Sequence, residues 1–195
     1  MDSEYKSKVL RVWSWNHPHH RSFHLNWLSF MMSFVCTFAP AALLPAIRET
    51  LNLDKTQLVN AGIAAVTGTI ACRIFMGTFC DRWGPRFGHA FLQLLTAPAT
   101  FSMAIVTSYT GYVIVRMVIG FSLALFVACQ FWTSVMFSAN VVGTANAVAA
   151  GWGNMGSGVT YLLMPVLYTG FQNIYPDFIA WRVCFFIPGS LQVRG

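Results

Sequence analysis

Asn146-Ala-Val-Ala-Ala-Gly-Trp-Gly-Asn-Met-Gly-Ser-Gly158 lies deep inside an apolar run from about Val141 to Tyr168. Four glycines fall within its last eight residues, together with one indole and one amide, Asn154. A glycine inside a helix costs roughly 1 kcal/mol relative to alanine in water, so four of them close together need a physical reason. In a membrane the usual reason is the close approach of another helix, or of a ligand, to bare backbone.

The composition is that of an integral membrane protein. Hydrophobic residues make up 56% of the 195 positions and charged residues only 9%, whereas soluble domains carry about a quarter charged residues. The apolar residues are grouped in runs long enough to cross a bilayer, which takes roughly 20 residues each. The net charge of +6 does not indicate nucleic-acid binding, because the basic residues are spread over tails and short loops without a basic stripe. The sequence therefore predicts an all-α protein in a lipid bilayer.

Six apolar runs predict six membrane-spanning helices behind a polar tail. Residues 1–24 form the predicted tail and residues 25–195 a six-helix transmembrane half-domain, with kinks at Pro40 and Pro45. The last run is too short to span with margin, so we expect a chain truncated at its carboxy end. Basic residues are more frequent in the segments that are cytoplasmic when the amino terminus is inside, which predicts a cytoplasmic amino terminus. The predicted spans are 25–47, 57–80, 89–107, 111–134, 141–168 and 181–191.

Metal, cofactor and catalytic sites are not indicated. The tail histidines have no cysteine or carboxylate partners, which favours a solvated tail over a metal site. The five cysteines lie in or beside apolar runs without ligand spacing, as buried small side chains do. The glycine spacing from Gly151 to Gly156 also fits the dinucleotide fingerprint, but that fingerprint needs a preceding strand and a soluble βαβ unit. No arrangement of catalytic side chains indicates an enzyme. The tail histidines are His17, His19, His20 and His24.

Two arginines lie inside predicted spans without an acidic companion. Arg73 lies eight residues before Asp81, roughly 12 Å along a helix. Arg116 is close enough to the outer end of the fourth span to snorkel. A buried cation costs about 2.5–3.5 kcal/mol on insertion scales, so Arg73 predicts a polar cavity whose anion is the substrate. The alternatives are hydrogen bonds to backbone carbonyls or a partner in another part of the protein. The acidic residues are Asp2, Glu4, Glu49, Asp54, Asp81 and Asp177, all outside the spans or at their edges.

The turn between the second and third spans carries a recognisable motif. Gly77-Thr-Phe-Cys-Asp81-Arg82-Trp-Gly84-Pro-Arg86 has glycines for a tight turn and an aspartate that can pair with a nearby arginine. It resembles the signature loop of the major facilitator superfamily, which helps to hold one conformation closed toward the cytoplasm. Arg116-x-x-x-Gly120 is similar to a second, looser motif of that superfamily.

The opening stretch narrows the resemblance. Ala150-Gly-Trp-Gly-Asn-Met-Gly-Ser-Gly158 resembles the nitrate signature of the nitrate/nitrite porter family, and Cys72-Arg73-Ile-Phe-Met-Gly77 resembles its eukaryotic high-affinity nitrate transporters. The resemblance implies substrate binding by Arg73, Asn154, Gly151, Gly153 and Gly156. It implies a conformational role for Gly77, Asp81, Arg82, Gly84, Arg86 and Arg116. Family members have twelve spans, with a second arginine and a second signature in a carboxy-terminal half that this chain does not contain.

We therefore expect one half of a transporter that moves nitrate by alternating access. Nitrite is a further candidate substrate. The resemblance implies proton symport at a plasma membrane, with no cofactor and sometimes with a membrane accessory protein. Two alternatives remain open. One is a porter of the same fold for another small anion, and the other is a truncated membrane partner that transports nothing.

Overall fold

The computed structural model describes residues 5–16 and 18–194, which form a bundle of helices. Apart from one isolated bridge between Ser7 and Phe137, all regular structure in this part of the chain is helical. Short 3₁₀ turns follow α4 at Met103–Ile105 and join α5 to α6 at Phe121–Ala124. The helices are α1 His19–Ala42, α2 Leu44–Leu51, α3 Lys55–Trp83, α4 Pro85–Ser102, α5 Tyr109–Gly120, α6 Leu125–Met136, α7 Ala139–Gln172, α8 Asp177–Cys184 and α9 Phe186–Arg194.

The first predicted span begins earlier than expected. α1 starts at His19 rather than Leu25, because Phe23 and His24 are already buried against the bundle. The chain breaks between the two prolines at which kinks are predicted, and Pro40 itself lies within α1. The helix stops at Leu43, whose φ of −103° and ψ of 17° are not helical, and α2 resumes with Pro45 in its first turn, where a missing N–H costs nothing.

The last predicted span is longer than its apolar run. Helical structure covers Asp177–Cys184 and Phe186–Arg194, so the polar residues that flank the apolar run are helical as well. By length and hydropathy, three described helical stretches suffice to cross a bilayer. They are His19–Ala42, Lys55–Trp83 and Tyr109–Met136. α7 has 34 residues and is long enough by length alone, since about 20 residues span the hydrocarbon core.

Two local sequences set the ends of α3. At its start, Asp54 and Gln57 form a capping box, in which each side chain bonds the backbone of the other residue. At its end, Gly84 adopts a φ of +85°, a conformation that a residue with a Cβ rarely takes. α4 begins directly at Pro85. The tight turn predicted from the glycine of the motif is therefore present.

The core is divided between the two ends of the bundle. One apolar cluster surrounds Phe23, Phe30 and Leu92 near the Gly84 turn, and the other surrounds Ile47 and Trp181 at the opposite end. All five cysteines are buried and none forms a disulfide in the described part of the chain, as expected for small apolar side chains.

Candidate functional site

Arg73 lies near the middle of α3, and its side chain is exposed on the surface of the helical bundle. Its guanidinium carbon lies 5.6 Å from the centre of the Phe126 ring on α6, within the range of a cation–π contact. No ion pair joins Arg73 to an acidic side chain in the described part of the chain. The prediction that Arg73 has no acidic partner within this chain therefore holds for the residues that the structure describes.

Two aromatic rings connect Arg73 to the glycine-rich stretch. The Phe126 ring lies 5.8 Å from the Phe30 ring of α1, measured between centroids. Phe30 in turn packs against Gly153 of α7, where an added Cβ would overlap the ring. Arg73 and the glycine-rich part of α7 are thus linked, through α6 and α1, by two ring contacts.

The four glycines of α7 divide into two pairs on different faces. Gly153 and Gly156 are buried against α1, and a Cβ at Gly156 would overlap the backbone oxygen of Met31. Gly151 and Gly158 are exposed and have no atom within 4 Å of the position of an added Cβ. Close helix approach therefore explains the first pair and does not explain the second. We call the contact of α1 with Gly153 and Gly156 the α1–α7 seam.

Asn154 lies on the same exposed side of α7 as Gly151 and Gly158, which are three and four residues away. Its Nδ2 donates a hydrogen bond of 2.7 Å to the backbone oxygen of Ala150. A side-chain amide has two N–H groups, so a second donor remains for a ligand. We call the exposed positions Gly151, Asn154 and Gly158 the open face of α7. Binding of substrate by the predicted residues stays a prediction.

Arg116 is placed differently from Arg73. Its side chain is half-buried, and an Nη atom donates a 3.3 Å hydrogen bond to the backbone oxygen of Thr37 on α1. The guanidinium lines a cavity of about 280 Å³ together with Thr69 of α3 and other residues of α1 and α3. Its Nε is buried and makes no hydrogen bond within the described residues. Arg116 therefore turns inward to α1 instead of snorkelling to the end of its helix.

The two arginines lie at different depths. Thr69 of α3 donates a 2.7 Å hydrogen bond to the backbone oxygen of Gly120, and further along the same two segments Arg73 meets Phe126. α3 and the α5–α6 segment therefore run side by side in the same direction. In this register Arg116 lies about eight residues before the level of Arg73, which is roughly 12 Å along the helix axis.

The signature turn is exposed and makes no internal ion pair. Asp81, Arg82 and Arg86 are all exposed, and Asp81 forms no salt bridge in the described part of the chain. A Cβ at Gly77 would meet nothing within 4 Å. The expected pairing of Asp81 with a nearby arginine is absent here, because these side chains point into solvent at the end of the helices. The predicted conformational role of this turn stays a prediction.

A buried polar network was missed from the sequence. Ser29 and Ser33 of α1 face His89 and Gln93 of α4 across a 2.7 Å contact between Ser29 Oγ and His89 Nε2. The signal was available, because both pairs are spaced four residues apart and so share one face of each helix. The four residues do not stand out in the sequence, because each pair of polar side chains is surrounded by many apolar residues.

The tail histidines bond to the chain itself. His20 Nε2 accepts a 3.0 Å hydrogen bond from the backbone N–H of Arg11. His24 Nδ1 accepts one of the same length from the Trp27 indole. His17, Asp2 and Glu4 lie outside the described residues. Among the residues that the structure describes, no group of three or more histidine, cysteine or acidic side chains is placed to hold a metal ion.

Comparison with known proteins assigns the fold. The family model of the Major Facilitator Superfamily matches residues 27–192. The chain belongs to this superfamily. The all-α membrane fold predicted from the composition and the superfamily indicated by the signature turn are both confirmed by this match and by the helical structure.

The relatives of this superfamily member confirm the narrower resemblance. The chain is 52% identical to "Nitrate transporter 2.2" of Chlamydomonas reinhardtii over 99% of its own length and 38% of that protein. It is 51% identical to "High affinity nitrate transporter 2.5" of Arabidopsis thaliana over 98% of its length and 38% of that protein. It is 31% identical to "Nitrate/nitrite transporter NrtP" of Picosynechococcus over 80% of its length and 29% of that protein. The chain thus spans less than two fifths of the length of these relatives.

Proposed function

We propose that this chain forms the amino-terminal six-helix half, residues 25–195, of a transporter for nitrate, with nitrite as a further candidate substrate. Transport would proceed by alternating access, in which two halves rock around a site between them. The similarity to proteins named nitrate transporters supports the substrate. The 38% coverage of those relatives supports a further half.

The observation that carries the proposal is the exposed position of Arg73 in the middle of α3. An arginine facing hydrocarbon at this depth costs at least about 2.5–3.5 kcal/mol. A second half that covers both Arg73 and the open face would replace lipid by a polar path between the halves. Because no acidic side chain pairs with Arg73 among the described residues, the path offers a cation to an anion in transit.

The chemistry of Arg73 fits a flat oxyanion. Its planar guanidinium can donate two parallel hydrogen bonds to two oxygens of nitrate. Phe126 lies against the same guanidinium and restricts its orientation. We infer that the free N–H of Asn154 on the open face supplies a further donor to the same path. Gly151 and Gly158 leave room for an anion or for a helix of the second half.

The test replaces Arg73 by lysine in the transporter expressed from its complete gene. Arg73→Lys keeps the charge but removes the planar pair of N–H donors. We therefore expect the KM for nitrate uptake to rise about tenfold, equivalent to roughly 1.4 kcal/mol. Arg116→Lys is the matched control, because lysine can still donate to the Thr37 oxygen, and we expect a smaller rise. Unchanged uptake affinity in Arg73→Lys would remove Arg73 from the substrate site.

Competition decides between nitrate and another small anion. Uptake of labelled nitrate is measured against nitrite, chlorate and phosphate. Planar and pyramidal monovalent oxyanions are expected to compete and phosphate is not. Inhibition by phosphate at equal concentration would point instead to a porter of the same fold for a different anion.

The remaining alternative concerns the 195-residue chain by itself, which spans only part of its relatives. Reconstituted alone in vesicles, it is expected to show no saturable nitrate flux, because half of the path is missing. Saturable flux would exclude the alternative that the chain acts only as a membrane partner.

The coupling ion, the membrane and the orientation of the chain are proposed from the family resemblance. We propose proton symport, a plasma-membrane location and a cytoplasmic amino terminus, with a membrane accessory protein as a candidate partner. The excess of basic residues in the tail and in the turn at Arg82 and Arg86 supports this orientation. Accessibility of a tag on residue 1 from the cytoplasmic side only would agree with it. We assign no enzymatic role and no cofactor.

A further inference from the structure

The polar network between α1 and α4 contains a group whose hydrogen bonding is incomplete. His89 is only 5% exposed and Ser29 only 2% exposed. Gln93 Nε2 donates a 2.6 Å hydrogen bond to Ser29 Oγ, and Gln93 Oε1 accepts from Ser33 Oγ at 3.4 Å. Gln93 Nε2 also donates to the backbone oxygen of Ser29 at 3.3 Å, and because a carbonyl oxygen only accepts, this bond fixes which end of the Gln93 amide faces Ser29.

Ser29 joins Gln93 to His89. Its Oγ accepts the Gln93 N–H and can donate its own hydrogen to His89 Nε2, 2.7 Å away. In a neutral imidazole, one nitrogen accepts and the other donates, so His89 Nδ1 carries the hydrogen in this arrangement. Nδ1 is buried and has no partner among the described residues. A buried polar group left without a hydrogen-bond partner costs about 1–3 kcal/mol.

His89 lines two neighbouring cavities together with Arg86 and Trp132. One, of about 330 Å³, extends toward Ser22 and Leu25 of α1. The other, of about 350 Å³, extends along α4 toward Leu94 and α9. The walls combine an arginine, an imidazole and an indole with exposed apolar side chains. Such a mixture suits a ligand that has an anionic group and an apolar part.

The charge at this end of the bundle is positive. Arg82 in the last turn of α3 and Arg86 in the first turn of α4 are both exposed, and Asp81 is the one acidic residue between 55 and 176. The N–H groups of the first turn of α4 add partial positive charge at the same end. Basic pockets between membrane helices at this level bind the anionic headgroups of lipids.

We propose that Arg86 and His89 bind a phosphate group at the membrane boundary next to the Gly84 turn. Arg86 supplies the charge, and a turn of the His89 ring out of its buried position brings Nδ1–H to a phosphate oxygen. The same chemistry could be presented by a phospholipid headgroup or by a free phosphate ion. The exposed Leu25 and Leu94 beside the cavities favour the phospholipid, whose acyl chains would lie on them. This site is separate from the transport function proposed above and does not depend on it.

The test measures lipid binding to the purified protein by native mass spectrometry. Phosphatidylglycerol is added to protein in detergent, and its retention is compared in wild type, Arg86→Gln and Arg82→Gln. The two variants remove equal charge from exposed arginines at the same end, but only Arg86 lines the cavities. We expect about tenfold weaker retention in Arg86→Gln, the loss of one charge-assisted hydrogen bond, and little change in Arg82→Gln. His89→Gln is expected to weaken retention as well, with its helix content checked by circular dichroism.

A second arm distinguishes the sources of phosphate. Inorganic phosphate is added in place of the lipid, and thermal stabilisation is measured in the same variants. Stabilisation that is lost in Arg86→Gln and kept in Arg82→Gln would assign the site to the free ion. Equal weakening of lipid retention in both arginine variants, or none in either, together with no phosphate effect, would overturn the proposal in favour of unspecific charge attraction.

Discussion

The two faces of α7 differ in what their glycines do. On the α1–α7 seam, Gly153 and Gly156 lie so close to Phe30 and Met31 that a Cβ would overlap them. On the open face, Gly151 and Gly158 have free space around them. The same residue type thus serves close packing on one face and leaves room on the other. A glycine-rich signature in a membrane helix can therefore contain glycines that close packing requires beside glycines that it does not require.

The largest effect expected from this comparison is a change of sign between two alanine substitutions. Gly156→Ala places a methyl group against the Met31 oxygen and should destabilise the protein by about 2 kcal/mol. Gly158→Ala has open space and should stabilise the helix by up to about 1 kcal/mol. The melting temperatures of the two variants in detergent measure this. A fall of equal size in both would show that the two faces do not differ.

A smaller effect is expected from removing the ring contact between Phe126 and Arg73. Phe126→Leu removes the ring beside the Arg73 guanidinium, and a cation–π contact of about 0.5–1 kcal/mol corresponds to a rise of roughly two- to fivefold in the KM for nitrate. Phe38→Leu is the control, since Phe38 stacks on Phe34 instead. Uptake kinetics of the complete transporter provide the measurement. An equal rise in KM for both variants would mean that ring packing in general, and not the contact with Arg73, sets the affinity.

Much of the fold could be predicted because it depends on local sequence. Long apolar runs, Pro40 and Pro45, and the glycine at position 84 each act on the few residues around them. The first span was predicted too short, since the tail before Leu25 looks polar and yet Phe23 and His24 pack into the bundle. Helix ends that tertiary contacts decide cannot be read from hydropathy.

The candidate site was predicted less completely. The sequence indicates that Arg73 lacks an acidic partner, but it does not show which neighbour each glycine of α7 faces. Gly153 and Gly156 were therefore grouped with Gly151 and Asn154, although they lie on another face. The inward turn of Arg116 depends on the Thr37 oxygen of α1, a contact between residues far apart in the sequence. For the same reason, the bond between Ser29 and His89 had no local signal beyond the spacing of four.

The separate roles of the two faces of α7 are tested most directly at two adjacent residues, Gly153 and Asn154, in the complete transporter. For Gly153→Ala and Asn154→Ala, both the melting temperature and the nitrate KM of the folded protein are measured. We expect Gly153→Ala to lower the melting temperature with little change in KM. We expect Asn154→Ala to raise the KM several-fold with little change in the melting temperature. If both substitutions lower the melting temperature and neither changes the KM, the stretch serves packing alone and the open face is not a substrate site.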